Sequence, residues 1–297
     1  MSNKLRKMTL EKKHNLTGWA FLAPATFLIA VFSFWPMIKA LVLSFQTGKG
    51  RNMQMAGFTN YIRMFQDDVF IQSIKNTFFY FIIQVPIMLV VALVLACILN
   101  KKDLRFKGFF RTMIFVPCTT SLVAYSIIFR SLFANDGLVN YVLVNIGILD
   151  KPYNFLTQPF AAKMVILLGL LWRWTGYNMV FFLSGLQNIE YSVYEAAKID
   201  GASAIQTFFK ITVPLLKPTI LLTAIMSTNG TLQLFDESVN LTDGGPANAS
   251  ISMSHYIYNL CFKYVPNFGY AAAMSFFILL LVAVLAFIQM RVGDKRD

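Results

Sequence analysis

Two clusters in this chain carry side chains that could do chemistry, and both are suited to holding a molecule rather than reacting with it. The first is Trp172-Arg173-Trp174-Thr175, followed by Tyr177-Asn178. The second is Ser227-Thr228-Asn229-Gly230-Thr231 with Gln233, followed by Asp236 and Glu237. Each begins inside an apolar run, where polar groups are costly and mark either a pathway or a contact between helices. A buried guanidinium such as Arg173 needs partners, and Asp236 and Glu237 are candidates within the chain. Metal and disulfide chemistry is unsupported, because Cys97, Cys118 and Cys261 have neither metal-type nor framework spacing. His14 and His255 stand far apart, and no cluster of titratable residues marks a polytopic membrane enzyme. The chain also lacks the Gly-x-x-x-x-Gly-Lys-Ser/Thr phosphate loop of a nucleotide-hydrolysing protein.

A third polar stretch, residues 192–217, interrupts the apolar runs. Ser192-Val193-Tyr194-Glu195 has capping-box spacing, so Glu195 reads as a helix-start residue or as something more. Ala196 and Ala197 are small enough to let another surface approach closely. Gly201 lets the chain turn, Ser203 can cap a second helix over Ala204–Thr212, and Pro214 ends it. Spacing alone leaves two roles open: docking onto a partner, or lying as an amphipathic hairpin on lipid.

Membrane spans must position these clusters. Of 297 residues, 57% are hydrophobic and 13% charged, whereas a soluble domain has about 25% charged residues. Runs long enough to cross about 30 Å of hydrocarbon recur along the chain. Thr77–Leu99 and Tyr264–Met290 carry no charge, Trp19–Phe45 carries only Lys39, and Met164–Leu186 only Arg173. Thr112–Phe129 and Pro218–Phe235 are shorter and more polar, which makes six. No run alternates at period two, so the expected fold is an all-α polytopic membrane protein rather than a β-barrel.

Basic residues orient the spans. They concentrate in Lys4, Arg6, Lys7, Lys12 and Lys13; in Lys101, Lys102, Arg105, Lys107 and Arg111; in Lys198, Lys210 and Lys217; and in Arg291, Lys295 and Arg296. The intervening segments hold only Lys49, Arg51, Arg63, Lys75, Lys151 and Lys263. The positive-inside rule then places both termini in the cytoplasm. Lys39 and Arg130 read as snorkelling cations. The net charge of +12 is thus a topology signal, with no stripe suited to nucleic acid. The first apolar run is too long for a secretory signal and reads as a retained span.

These features resemble a known family. Glu195, Ala196, Ala197, Gly201, Ile211 and Pro214 occupy the positions of the EAA loop of bacterial ABC importer permeases, with Asp200 before the glycine as in the sugar branch. Val213 stands where leucine is usual. Phe21-Leu22-Ala23-Pro24, Phe34-Trp35-Pro36, Gly57-Phe58-Thr59-Asn60-Tyr61, Asn76-Thr77 and the Trp172-Arg173-Trp174-Thr175 motif are similar to maltose-type permeases. So is Leu241-Thr242-Asp243-Gly244-Gly245-Pro246, which matches an LTxGGP loop.

The resemblance implies a type I ABC importer permease fold in the bacterial cytoplasmic membrane. Its parts would be a tail (1–17), a first span (18–46), an external loop with an interfacial helix (47–71), a permease core (72–290) and a tail (291–297). Within the core the spans would be 74–99, 109–133, 161–186, 218–236 and 264–290, with the coupling loop at 192–217 and an external loop at 237–263. Such a chain is non-catalytic and binds no cofactor itself; ATP and Mg sit on partner subunits. The implied partners are a second homologous permease, two ATP-binding subunits, an extracytoplasmic sugar-binding protein, the sugar and the bilayer. The solute path carried over from the family would run along Arg173, Trp174, Tyr177, Ser227, Gly230 and Thr231. Other solutes (a polyol, a glycerol phosphate, a polyamine) and a secondary transporter are the competing readings.

Overall fold

The computed structural model describes residues 9–49, 52–101 and 103–293. The basic residues Lys4, Arg6, Lys7, Arg51, Lys102, Lys295 and Arg296 lie outside them. The elements in order are α1 (Leu10–Ser44), β1 (Gln46–Lys49), β2 (Asn52–Met55), α2 (Thr59–Met64), α3 (Asp68–Asn100), α4 (Lys107–Thr119) and α5 (Leu122–Leu132). Then come α6 (Leu138–Asn145), α7 (Pro159–Gln187), α8 (Tyr191–Ile199), α9 (Ala204–Leu215) and α10 (Lys217–Leu232). The chain ends with α11 (Asp236–Thr242), α12 (Met253–Tyr258, continued by a π-turn over Asn259–Lys263) and α13 (Phe268–Gly293). The antiparallel hairpin β1–β2, with Gln46 opposite Met55, was invisible in the apolar pattern.

Four of these helices, α1, α3, α7 and α13, are long and apolar enough to cross a membrane, and six spans result if two bent pairs each count as one. One bend falls inside the expected third span and the other just before the expected fifth. α4 meets α5 at 98° and α9 meets α10 at 70°. The first bend follows Pro117, after which Thr120 and Ser121 are extended. The hydroxyls of Thr119 and Thr120 donate to the carbonyls of Val116 and Pro117 at 2.8 and 2.7 Å. Those bonds help cap the carbonyls at the end of α4. The second bend sits at Leu216 between Pro214 and Pro218.

Two π-turns have one cause. Ala30–Phe34 precedes Pro36, and Phe208–Thr212 precedes Pro214. Proline has no N–H to return to the preceding turn and collides with its carbonyl, so the helix widens just upstream. Pro214 therefore widens α9 rather than ending it, and the second helix of the polar stretch runs to Leu215, not Thr212.

The core lies along α3 and α7 in three zones. Ala92, Ala96 and Leu99 meet Met179, Phe182 and Leu186 at the end nearest α8. Tyr80, Tyr125, Val165 and Leu170 fill the middle. Phe70, Met253, Tyr270 and Met274 close the far end. Much of that far end is held by polar bonds. Asp67 caps α3 through Oδ1, accepting from the Val69 and Phe70 amides at 3.0 and 3.2 Å. Its other oxygen accepts from the hydroxyls of Tyr256 and Tyr270 at 2.7 and 2.8 Å, tying α12 and α13 to the start of α3.

Candidate functional site

The middle of the bundle encloses a cavity of about 420 Å³ between α3, α5, α7, α10 and α11, within the range of small-molecule sites. All six residues carried over from the sugar permeases line it: Arg173, Trp174 and Tyr177 from α7, and Ser227, Gly230 and Thr231 from α10. The residues sit together because Arg173, Trp174 and Tyr177 fall on one face of a helix at spacings of one and three to four. The same spacing places Ser227, Gly230 and Thr231 on one face of α10.

Hydrogen bonds fix the walls. Thr231 Oγ1 donates to Gln84 Oε1 at 2.6 Å, and Ser227 Oγ donates to Asn178 Oδ1 at 3.2 Å. The amides of Gln84 and Asn178 both reach the sulfur of Met88, at 3.3 and 3.5 Å. Three helices are thus joined by one polar network, and Ser227 and Thr231 serve it as well as lining the space. Gly230 is different: a methyl added there would meet no atom within 4 Å, so it faces open cavity.

Arg173 is 6% exposed, and its guanidinium lies 5.4 Å from the ring centres of both Tyr125 and Trp174. Its Nε and Nη1 have no hydrogen-bond partner. Among the described residues no carboxylate lies within ion-pair distance of it. The expected pairing with Asp236 or Glu237 is therefore not formed, although both line the same cavity. Glu237 is 4% exposed and its Oε1 is likewise unpartnered. Burial pushes its carboxyl above the usual carboxylate range and Asp236 adds to that, while a backbone hydrogen bond, Arg173 and Trp174 pull the other way. Trp174 and Tyr177 meet edge to face, 5.8 Å apart. The cavity thus offers aromatic rings, amides, hydroxyls, a cation and two carboxyls.

The second predicted site lies at the other end of the bundle. α8 has Glu190 at its N-cap with no side-chain cap, and Ser192 Oγ instead donates to the Glu190 carboxylate at 3.4 Å. The capping box expected from Ser192 to Glu195 is absent, because the helix begins before Ser192. Glu195 and Ala196 are exposed, and Ala197 is buried. At the other end of α8 the amides of Gly201 and Ala202 donate to the carbonyls of Lys198 and Ala197 at 3.2 and 2.9 Å. That pairing is the Schellman stop, which requires a left-handed residue after the C-cap; Gly201 supplies it at φ +74°. Ser203 and Gln206 complete a capping box for α9, as the spacing predicts. Asp200 and Ile211 lie on this segment, the aspartate as the C-cap and exposed, the isoleucine half-buried in the π-turn. A cavity of about 840 Å³ separates the segment from the end of α3, and Thr212 Oγ1 bonds the Tyr194 hydroxyl at 3.5 Å to hold α8 to α9.

Residues 69–296 match the family described as binding-protein-dependent transport system inner membrane component. The chain belongs to that family. It is 51% identical to the lactose transport system permease protein of Rhizobium radiobacter over 98% of each chain. The multiple sugar-binding transport system permease protein of Streptococcus mutans serotype c is 33% identical, with 97% of this chain and 99% of that one covered. This inner membrane component also shares its fold with a chain of a bacterial ABC transporter that imports the acidic polysaccharide alginate. The TM-score is 0.85 at 23% identity, covering 97% and 98% of the two chains.

Several motifs that first suggested the family prove to be architectural in this inner membrane component. Asn60 donates to the carbonyls of Ser44 and Gln46 at 2.9 and 2.8 Å, fastening α2 to the end of α1. Asn76 donates to the carbonyls of Ile251 and Asn248, and Thr77 accepts from the Met253 amide at 3.2 Å. Asp243 and Gly244 are both left-handed, and Thr242 and Ser250 close the turn with a 2.7 Å bond. Sequence reasoning missed Gln84 and Met88. The signal for Gln84 was present: it is a glutamine inside the uncharged run Thr77–Leu99.

Proposed function

We propose that this chain is the membrane subunit of an ATP-driven, binding-protein-dependent importer of sugars or oligosaccharides in the bacterial cytoplasmic membrane. The cavity carries the reading. Its aromatic rings suit the C–H faces of a sugar, and its amides and hydroxyls suit the hydroxyls. The relatives named for lactose and for multiple sugars point to the same solute class. In this reading the chain makes six spans with both termini cytoplasmic, each bent pair counting as one span, and forms half of the path.

A second permease completes that path, and an external binding protein delivers solute to it. Glu195, Ala196, Ala197, Asp200, Gly201, Ile211 and Pro214 form the surface that docks on one of two ATP-binding subunits, which carry ATP and Mg. The exposed face of α8, the strict stop at Gly201 and the 70° bend into α10 support this, because a short stiff helix on a hinge can transmit displacement into the spans lining the cavity. Deleting the gene should abolish energy-dependent uptake of labelled oligosaccharide, and the tagged chain should co-purify with an ATP-binding subunit. Undiminished uptake, or purification without any ATPase, refutes the proposal.

A further inference from the structure

We infer that the cavity selects neutral polyhydroxylated solutes over anionic ones, with Glu237 as a specificity-determining residue alongside Arg173. The inference rests on the cavity being the solute path. Arg173 offers two donors without partners, and Glu237 offers one acceptor without a partner, in the same space. Both side chains are more than nine-tenths buried and are not paired with each other. Buried charges left in that condition are costly, so what enters the cavity must satisfy them.

A hydroxyl donates one hydrogen bond and accepts two. A chain of hydroxyls can therefore accept from Arg173 and donate to Glu237 at once. An anionic group answers only the guanidinium. It also meets Asp236 and Glu237, and with Glu237 either ionised or neutral the lining carries no net positive charge. The remaining polar lining, Gln84, Asn178 and Thr231, is uncharged. Neutral sugars fit this set of groups, whereas uronates and phosphorylated sugars do not.

The test uses the intact transporter, purified with its partner subunits and followed by thermal stability against rising solute. The probes are lactose, its oxidised anionic analogue lactobionate, and glycerol 3-phosphate. Lactose should stabilise the complex at concentrations at least about tenfold lower than lactobionate, a gap of about 1.4 kcal/mol. Glu237→Gln should need about tenfold more lactose than the wild type, and the gap between lactose and lactobionate should narrow, while Glu237→Asp should restore part of it. Equal action of lactose and lactobionate on the wild type overturns the inference alone, without any variant having to fold. A Glu237→Gln complex with unchanged response to both does the same. Stabilisation by glycerol 3-phosphate and not by lactose overturns the sugar reading as well, and a complex that answers none of the three removes the cavity as a solute site.

Discussion

Replacing Gly201 isolates the backbone contribution to the proposed coupling. A methyl at Gly201 would meet no atom within 4 Å, so sterics against the rest of the chain add nothing. The cost is confined to the left-handed conformation, φ +74°, that the Schellman stop demands. An ordinary L-residue there loses about 1–2 kcal/mol, which changes an equilibrium by about 5–30-fold. Gly201→Ala should therefore depopulate the bent segment by that factor, Gly201→Val by more because β-branched residues tolerate positive φ worst, and Gly201→Asn by less. Gly57 is the internal control, since it also has a positive φ and open surroundings but lies beside α2. The assay is solute uptake per ATP hydrolysed in proteoliposomes of the assembled transporter. The expected order is glycine, asparagine, alanine, valine, with Gly57→Ala leaving the ratio unchanged. An assembled Gly201→Val transporter with the wild-type ratio, or asparagine performing worse than alanine, refutes the reasoning.

Other outcomes follow from the same structure. Gly230→Leu should reduce uptake of the longer oligosaccharides more than that of short ones, with thermal stability unchanged, because the added side chain enters open cavity; equal loss for all lengths would argue against it. Gly176→Ala should destabilise the protein by about 1–3 kcal/mol, read as a fall in melting temperature, since the new carbon would stand 1.9 Å from the Ile114 carbonyl oxygen. Arg173→Leu should lower uptake without changing assembly, and unchanged KM and rate would take Arg173 out of the path. Burial holds His255 down at about 4, with Asp243 raising it and Lys263 lowering it. The unfolded chain, titrating near 6.5, then binds the extra proton first, so stability should fall as pH drops from about 6.5 toward 4. A flat melting temperature across that window would show that His255 accepts its charge without cost.

Much of this arrangement was legible in the sequence because the membrane enforces long apolar runs and polar residues inside them stand out. Arg173, Trp174 and Tyr177 were found that way, and the cavity gathers them. What escaped depends on termini and breaks. The start of α8 shifted because Glu190, not Ser192, precedes the first helical turn. Pro214 reads as a stop yet only widens its helix, whereas Pro117, inside a run read as one span, precedes a 98° turn. Local pattern gives a proline's presence, while the bend it produces depends on what the freed carbonyls find nearby. The Arg173–Glu237 pairing failed for a similar reason, since proximity in sequence pattern carries no information about what fills the space between two helices.

The polar network across α3, α7 and α10 also has a consequence for how the chain is made. α10 is long and apolar enough to cross a membrane only together with α9, and it carries Thr219, Thr223, Ser227, Thr228, Asn229 and Thr231. Alone in lipid it would be a poor candidate for insertion. Gln84 and Asn178, which receive Thr231 and Ser227, belong to helices synthesised earlier. The order of the chain therefore brings this polar helix out after α3 and α7, which already present the groups it needs. Removing Gln84 would then be felt during biogenesis, as a yield of inserted protein, before it was felt in transport.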